Sequence, residues 1–118
     1  MHCCGRCEEF IDDWRDFGVV SWNPAQTIND LEGIQKKYGR SLILNGAWDI
    51  VGNLLDPNVS EEDVRASVRE AMDKYAKNGG YVFGGSFLGS FDDEATRRKN
   101  AWLYDEAKKY GRQFYKKA

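Results

Sequence analysis

The sequence predicts an α/β fold with three parallel strands and four helices. Three observations carry that prediction. The stretch Ser41-Leu-Ile-Leu-Asn-Gly-Ala-Trp-Asp49 sets an unbroken apolar run against an abrupt polar end. A short apolar run of this kind reads as a strand buried on both faces, as in a parallel sheet. The same pattern occurs earlier, at Val19-Val-Ser-Trp-Asn-Pro24, and later, at Tyr81-Val-Phe-Gly-Gly-Ser86. Between the three runs lie stretches of helical periodicity, so strands and helices alternate and the strands must be joined by crossovers.

Taken in order, a helix is expected from Arg6 to Gly18, with Cys7, Phe10, Ile11, Trp14 and Phe17 on its apolar stripe. Gly18 stops it. The first strand is expected over Val19–Trp22, ended by Asn23-Pro24. Thr27 is expected to cap the second helix, with Asp30 at the third position, Ile28, Leu31, Ile34 and Tyr38 buried, and Gly39 closing it. The second strand spans Ser41–Leu44. A short helical turn follows at Ile50–Leu55, then an Asp56-Pro57 turn. Ser60 caps the third helix, whose buried face is Val64, Val68, Ala71, Met72 and Tyr75, and Asn78-Gly79-Gly80 ends it. Tyr81–Phe83 is the third strand, opening into the glycine-rich tip 84–89. Asp92 is expected to cap the last helix, lined by Ala95, Trp102, Leu103, Ala107, Tyr110 and Phe114.

The chain of 118 residues suits one domain, 1–118, and its apolar fraction of 42% argues against disorder. The net charge of -2 provides no basic footprint for nucleic acid and no polybasic membrane patch. The C-terminal Lys116-Lys117 pair is read as complementing the negative end of the last helix. No apolar run is long enough to span a bilayer, and no apolar stretch at the N-terminus reads as a signal peptide. Three cysteines within the first seven residues then point to thiol or metal chemistry in a reducing cytoplasm.

A sheet of three parallel strands leaves two unpaired edges unless it closes. The cluster His2-Cys-Cys-Gly5 also stands where the tip of a preceding strand would be. The chain therefore reads as the last three and a half units of a (β/α)8 TIM-type barrel. The expected partners are a second copy, in a homo-oligomer, or a missing N-terminal barrel half. The polar residues at the strand tips, Trp22, Asn23, Asn45, Trp48 and Asp49, converge at one rim if the strands are parallel. One reading makes them a substrate-binding cleft with aromatic walls and Asn/Asp anchors. The other makes them loop packing and capping groups.

His-x-Cys-Gly at the start, Val19-Val-Ser-Trp22, Asp30-Leu31 followed by Lys37-Tyr-Gly39, Leu44-Asn-Gly-Ala-Trp-Asp49, Glu61-Glu-Asp-Val-Arg65 and Gly79-Gly-Tyr-Val-Phe83 form an ordered series. In order and spacing the series resembles the C-terminal third of the uroporphyrinogen decarboxylase superfamily, and it covers nearly the whole chain. That superfamily includes the decarboxylase of porphyrin metabolism, a lyase, and zinc-dependent corrinoid methyltransferases. The resemblance implies the barrel fold, a corrinoid as substrate or partner-bound cofactor, and a zinc ion held by His2 and Cys4. It also implies roles at the rim for Asp49 and Ser86 as catalytic positions. Ser86 stands where the methyltransferase branch has a third cysteine ligand and the porphyrin enzyme a histidine, so the chain departs from both patterns there. Cys7 is a local substitute ligand, and Cys4-Gly-Arg-Cys7 also fits a redox pair. Plain thiols without metal remain the alternative.

Overall fold

In a computed structural model, which describes residues 1–90 and 92–115, three strands form one all-parallel sheet in the order β1-β2-β3. The strands are β1 (Ser21–Ala25), β2 (Ile43–Gly46) and β3 (Tyr81–Phe83). The helices are α1 (Ile11–Asp16), α2 (Leu31–Tyr38), α3 (Glu61–Tyr75) and α4 (Glu94–Tyr115), with 3₁₀ turns at Glu8–Phe10, Gly39–Ser41 and Gly52–Leu55. Lys116 and Lys117 lie outside the described residues. The mixed α/β class, the parallel pairing and the four helices all match the sequence reading.

The element boundaries need correction. The first helix is short because residues 8–10 form a 3₁₀ turn first. Phe10 and Phe17 project into solvent, leaving Cys7, Ile11 and Trp14 as the buried stripe. Its end is a Schellman motif. Gly18, at φ 87°, donates its N–H to Arg15 O, and Val19 donates to Trp14 O at 3.0 Å. Strand β1 starts at Ser21 and continues through Asn23 and Pro24, whose joining bond is cis. Trp22 pairs with Leu44 and Ala25 with Gly46, so β1 carries one extra residue between them. A proline, which has no N–H to give the ladder, is tolerated at such a bulge.

Thr27 does not cap α2. Asp30 does, its carboxylate accepting from Gly33 N–H at 3.1 Å, and Ile28 is exposed on the loop before it. Asp93, not Asp92, directly precedes α4, and its carboxylate accepts from the Thr96 hydroxyl. The backbone N–H groups of Ala95 and Thr96 help hold that carboxyl below its ordinary range, after the larger effect of the Thr96 hydroxyl. Ala95 itself is exposed. Helix α3 follows the sequence reading in full: Ser60 Oγ accepts from Asp63 N–H at 3.1 Å, and all five expected residues are buried.

All the helix packing falls on one face of the sheet. Trp22 and Leu44, register partners and both fully buried, join Ile11, Trp14, Leu31 and Ile34 in a first core. Val64, Val68, Met72 and Leu103 build a second core between α3 and α4, reached from the strand tips by Trp48 and Phe87. Each fully buried aliphatic or aromatic side chain contributes about 1.5–3 kcal/mol of transfer free energy. Side chains alternate along a strand, so Ser21, Asn23, Ile43, Asn45 and Val82 face the other way. No described helix covers that side: Asn23 is exposed and Val82 keeps 50% of its surface.

Candidate functional site

Because all three strands run the same way, their C-terminal tips share one end of the sheet; Trp48, Asp49 and Ser86 follow the strand ends there, while Trp22, Asn23 and Asn45 lie within β1 and β2. A fourth, partial strand lies alongside. Residues 1–3 pair in parallel with β1 through a bridge between His2 and Asn23. Asn23 N–H donates to Met1 O and Cys3 N–H to Asn23 O, both at 2.9 Å. His2 thus sits at a strand tip beside β1. Asn45 is half-buried on the same bare face, its amide donating to Ser21 Oγ and, at 3.3 Å, to Trp22 O. His2, Asn23, Asn45 and Val82 therefore form a row across the uncovered face, polar at one side and apolar at the other.

At the polar end, His2 Nε2 and Cys4 Sγ stand 3.6 Å apart, both exposed. Two ligands on one tetrahedral zinc, at about 2.0 Å for nitrogen and about 2.3 Å for sulfur, are separated by roughly that distance. A catalytic zinc takes three protein donors. Among the described residues no group of three His, Cys, Asp or Glu side chains is arranged to hold a metal. Cys7 does not serve: its thiol is buried at 1% exposure and directed at Cys4 O (3.3 Å) and Gly5 O (3.4 Å). Burial pushes the Cys7 thiol up to about 11, helped by a hydrogen bond with the Cys3 thiol and by the nearby Cys3 and Cys4 sulfurs. A thiol held protonated in this way is a poor nucleophile at neutral pH. Among the described residues, the His2–Cys4 pair is spaced as two zinc ligands would be and no third donor stands with it.

The other tip residues serve the loops. Asp49 Oδ2 accepts from both Thr27 N–H (2.6 Å) and Thr27 Oγ1 (2.8 Å), which ties the loop after β2 to the loop after β1. Trp22 is fully buried, and its indole donates to Cys3 O at 2.9 Å. Trp48 is 7% exposed, donates to Ser67 Oγ at 2.8 Å, and meets Phe87 edge-on at 5.2 Å between centroids. Neither indole is a free wall of a cleft, because each fills a core. Ser86 is exposed beside Gly85, where an added Cβ would lie 2.4 Å from Trp48 Cε3. Ala47, at φ 55°, is the one described non-glycine residue in the left-handed region, at the turn that carries the chain from β2 to Trp48.

One organising residue escaped sequence reading. Asn29 is the single buried polar side chain among the described residues, at 5% exposure. Its Oδ1 accepts from Cys7 N–H (2.9 Å), and its amide donates to Gly5 O (2.9 Å) and Gln26 O (3.0 Å). Gln26 Oε1 in turn accepts from Gly5 N–H. These two amides hold the cysteine segment against the end of β1. An asparagine before a helix cap is an ordinary loop residue in sequence, so nothing there distinguishes it.

Compared with protein-family models, curated proteins and solved structures, the chain matches none.

Proposed function

We propose that the chain supplies the closing βα units of a (β/α)8-type barrel resembling the uroporphyrinogen decarboxylase superfamily, nearer its corrinoid methyltransferase branch. In this reading it works with a second copy or a separate N-terminal half that covers the bare sheet face. The observation that carries the proposal is the row His2, Asn23, Asn45 and Val82 on the uncovered face of an all-parallel, sequentially ordered sheet. An uncovered parallel sheet is rare, because its inner face needs helices or barrel closure.

With that face enclosed, Asn23 and Asn45 would offer amide donors and acceptors to a small-molecule or corrinoid substrate. His2 and Cys4 would contribute two ligands to a zinc ion, which, when bound, supplies the Lewis acidity that makes an incoming thiol a nucleophile. Asp49 is tied to Thr27 through Oδ2 and shapes the rim. A second reading is favoured by the unfilled third ligand position, with Ser86 in place of a cysteine: a non-catalytic barrel portion that binds its partner chain. True uroporphyrinogen decarboxylation is disfavoured by the absence of any histidine other than His2.

Sedimentation at micromolar concentration is expected to give a mass of at least two chains, or a complex once an N-terminal barrel half is added. A lone monomer in both experiments would remove the barrel reading. Stoichiometric zinc that disappears in His2→Ala would support the methyltransferase branch. Zinc equally absent from both proteins would support the non-catalytic one.

A further inference from the structure

A groove of about 760 Å³ runs along the outer edge of β3, between that strand, the end of α3 and the flank of α4. Its floor is backbone. Leu44 N–H donates to Gly80 O at 3.0 Å, so Gly80 and, two residues on, Val82 turn their backbone groups towards β2. Alternation then directs the N–H and C=O of Tyr81 and Phe83 outward. The sheet order ends at β3, which leaves those groups without a strand partner among the described residues.

The walls are apolar, provided by Met72, Phe114 and the ring of Tyr104, which is 55% exposed. The charge on the groove has one sign. Arg40, Lys77 and Lys108 line it, no carboxylate does, and none of the three is in an ion pair with a described residue. On α3 and α4, Lys74, Lys109, Arg65 and Arg69 are paired, while Arg97, Arg98, Lys99 and Arg112, which do not line the groove, have no ion pair with a described residue. An unpaired strand edge, an apolar wall and three unneutralised cations together describe a receptor for an extended segment.

We infer that the β3 edge is a docking site for an extended, acidic peptide segment of a partner protein, which adds to the sheet as a further strand. About three of its residues pair with Tyr81–Phe83, alternate apolar side chains enter the groove, and flanking carboxylates meet Arg40, Lys77 and Lys108. The inference depends on no metal and is an alternative to barrel closure, which would pair this same β3 edge with a strand of the missing half.

The probe is a fluorescein-labelled nonapeptide of alternating valine and threonine with two aspartates at each end, followed by anisotropy. Its controls are the same peptide with lysines for aspartates and one with N-methylated amides in the central stretch. Binding of the acidic peptide is expected to weaken by about fivefold or more in a Lys77→Glu/Lys108→Glu protein and to fall with added salt. The lysine and N-methylated peptides are expected not to bind. Both replaced lysines are exposed, so the variant should keep the wild-type circular dichroism. Equal binding of acidic and basic peptides, or none up to about 1 mM, would overturn the inference. Sedimentation of the same variant separates the remaining occupant. A change in the protein's own mass with no change in peptide binding would assign the edge to a second copy and overturn the inference too.

Discussion

At the scale of single residues, the polar groups at the strand tips divide into those that hold the loops and those left free. Asn29 belongs to the first set. Replacing it with leucine strands Cys7 N–H, Gly5 O and Gln26 O in a buried site, and each unpaired buried group costs about 1–3 kcal/mol. Asn29→Leu is therefore expected to lower the urea midpoint by the equivalent of at least about 2 kcal/mol. An unchanged midpoint would show that water takes over those partners. The thiols divide in the same way. Iodoacetamide at pH 8 is expected to modify exposed Cys4 readily and buried Cys7 only after unfolding, as peptide mass mapping would show. The raised Cys7 value also fixes a pH dependence. Folding favours the protonated thiol, so its contribution is complete below the unfolded value of 9.0. It is lost as pH climbs towards about 11. Melting temperature should fall across that window, and a Cys7→Ser variant should show a shallower decline. The burial of Cys7 was legible, because its spacing puts it on the apolar stripe with Ile11 and Trp14, whereas the contacts made by Asn29 were not.

Among the elements, α3 was legible from end to end because cap, periodicity and terminating glycines all agree. Strand β3 was legible for a similar reason. Boundaries failed where two signals competed. Asn23-Pro24 is a turn signal locally, yet β1 runs through it by way of a bulge in the register with β2. Thr27 and Asp30 are both good caps, and Thr27 is engaged by Asp49 from a different loop, a long-range contact that spacing cannot reveal. The strands themselves depend on their helix-facing residues. Leu44 has no exposed surface and pairs with Trp22 on one side and Tyr81 on the other. Leu44→Ala is expected to cost about 3 kcal/mol by chemical denaturation. A cost below about 1 kcal/mol would mean the first core collapses around the loss. Between α3 and α4 the ion network centres on Arg65, which meets Glu61 at 2.9 Å, Asp105 at 2.8 Å and Glu106 at 3.0 Å. Glu106, only 13% exposed, is the partner most shielded from water. A double-mutant cycle should give Arg65–Glu106 a larger coupling than the exposed Lys109–Asp105 pair.

For the whole molecule, one property dominates: the helices cover a single face of the sheet. Residues 1–3 pair in parallel with β1, a partial strand that the sequence reading did not assign. Which face would be bare was not legible, since apolar runs look alike from both sides. Val82 is the apolar end of the row on that face, and Val82→Asp puts a charge where a partner would bury it. The variant is expected to sediment as a monomer with unchanged circular dichroism. Retained assembly would direct attention to another surface. The two cores also differ in where their residues come from along the chain. The first needs partners from Cys7 to Tyr75, and the second from Trp48 to Leu103. No strand pairs with its neighbour through a hairpin, so each ladder waits for the helix between its strands. A ribosome emitting this polypeptide must therefore deliver Tyr75 before the first nucleus can shut and Leu103 before the second. Until then, the nascent product depends on whatever shelters it.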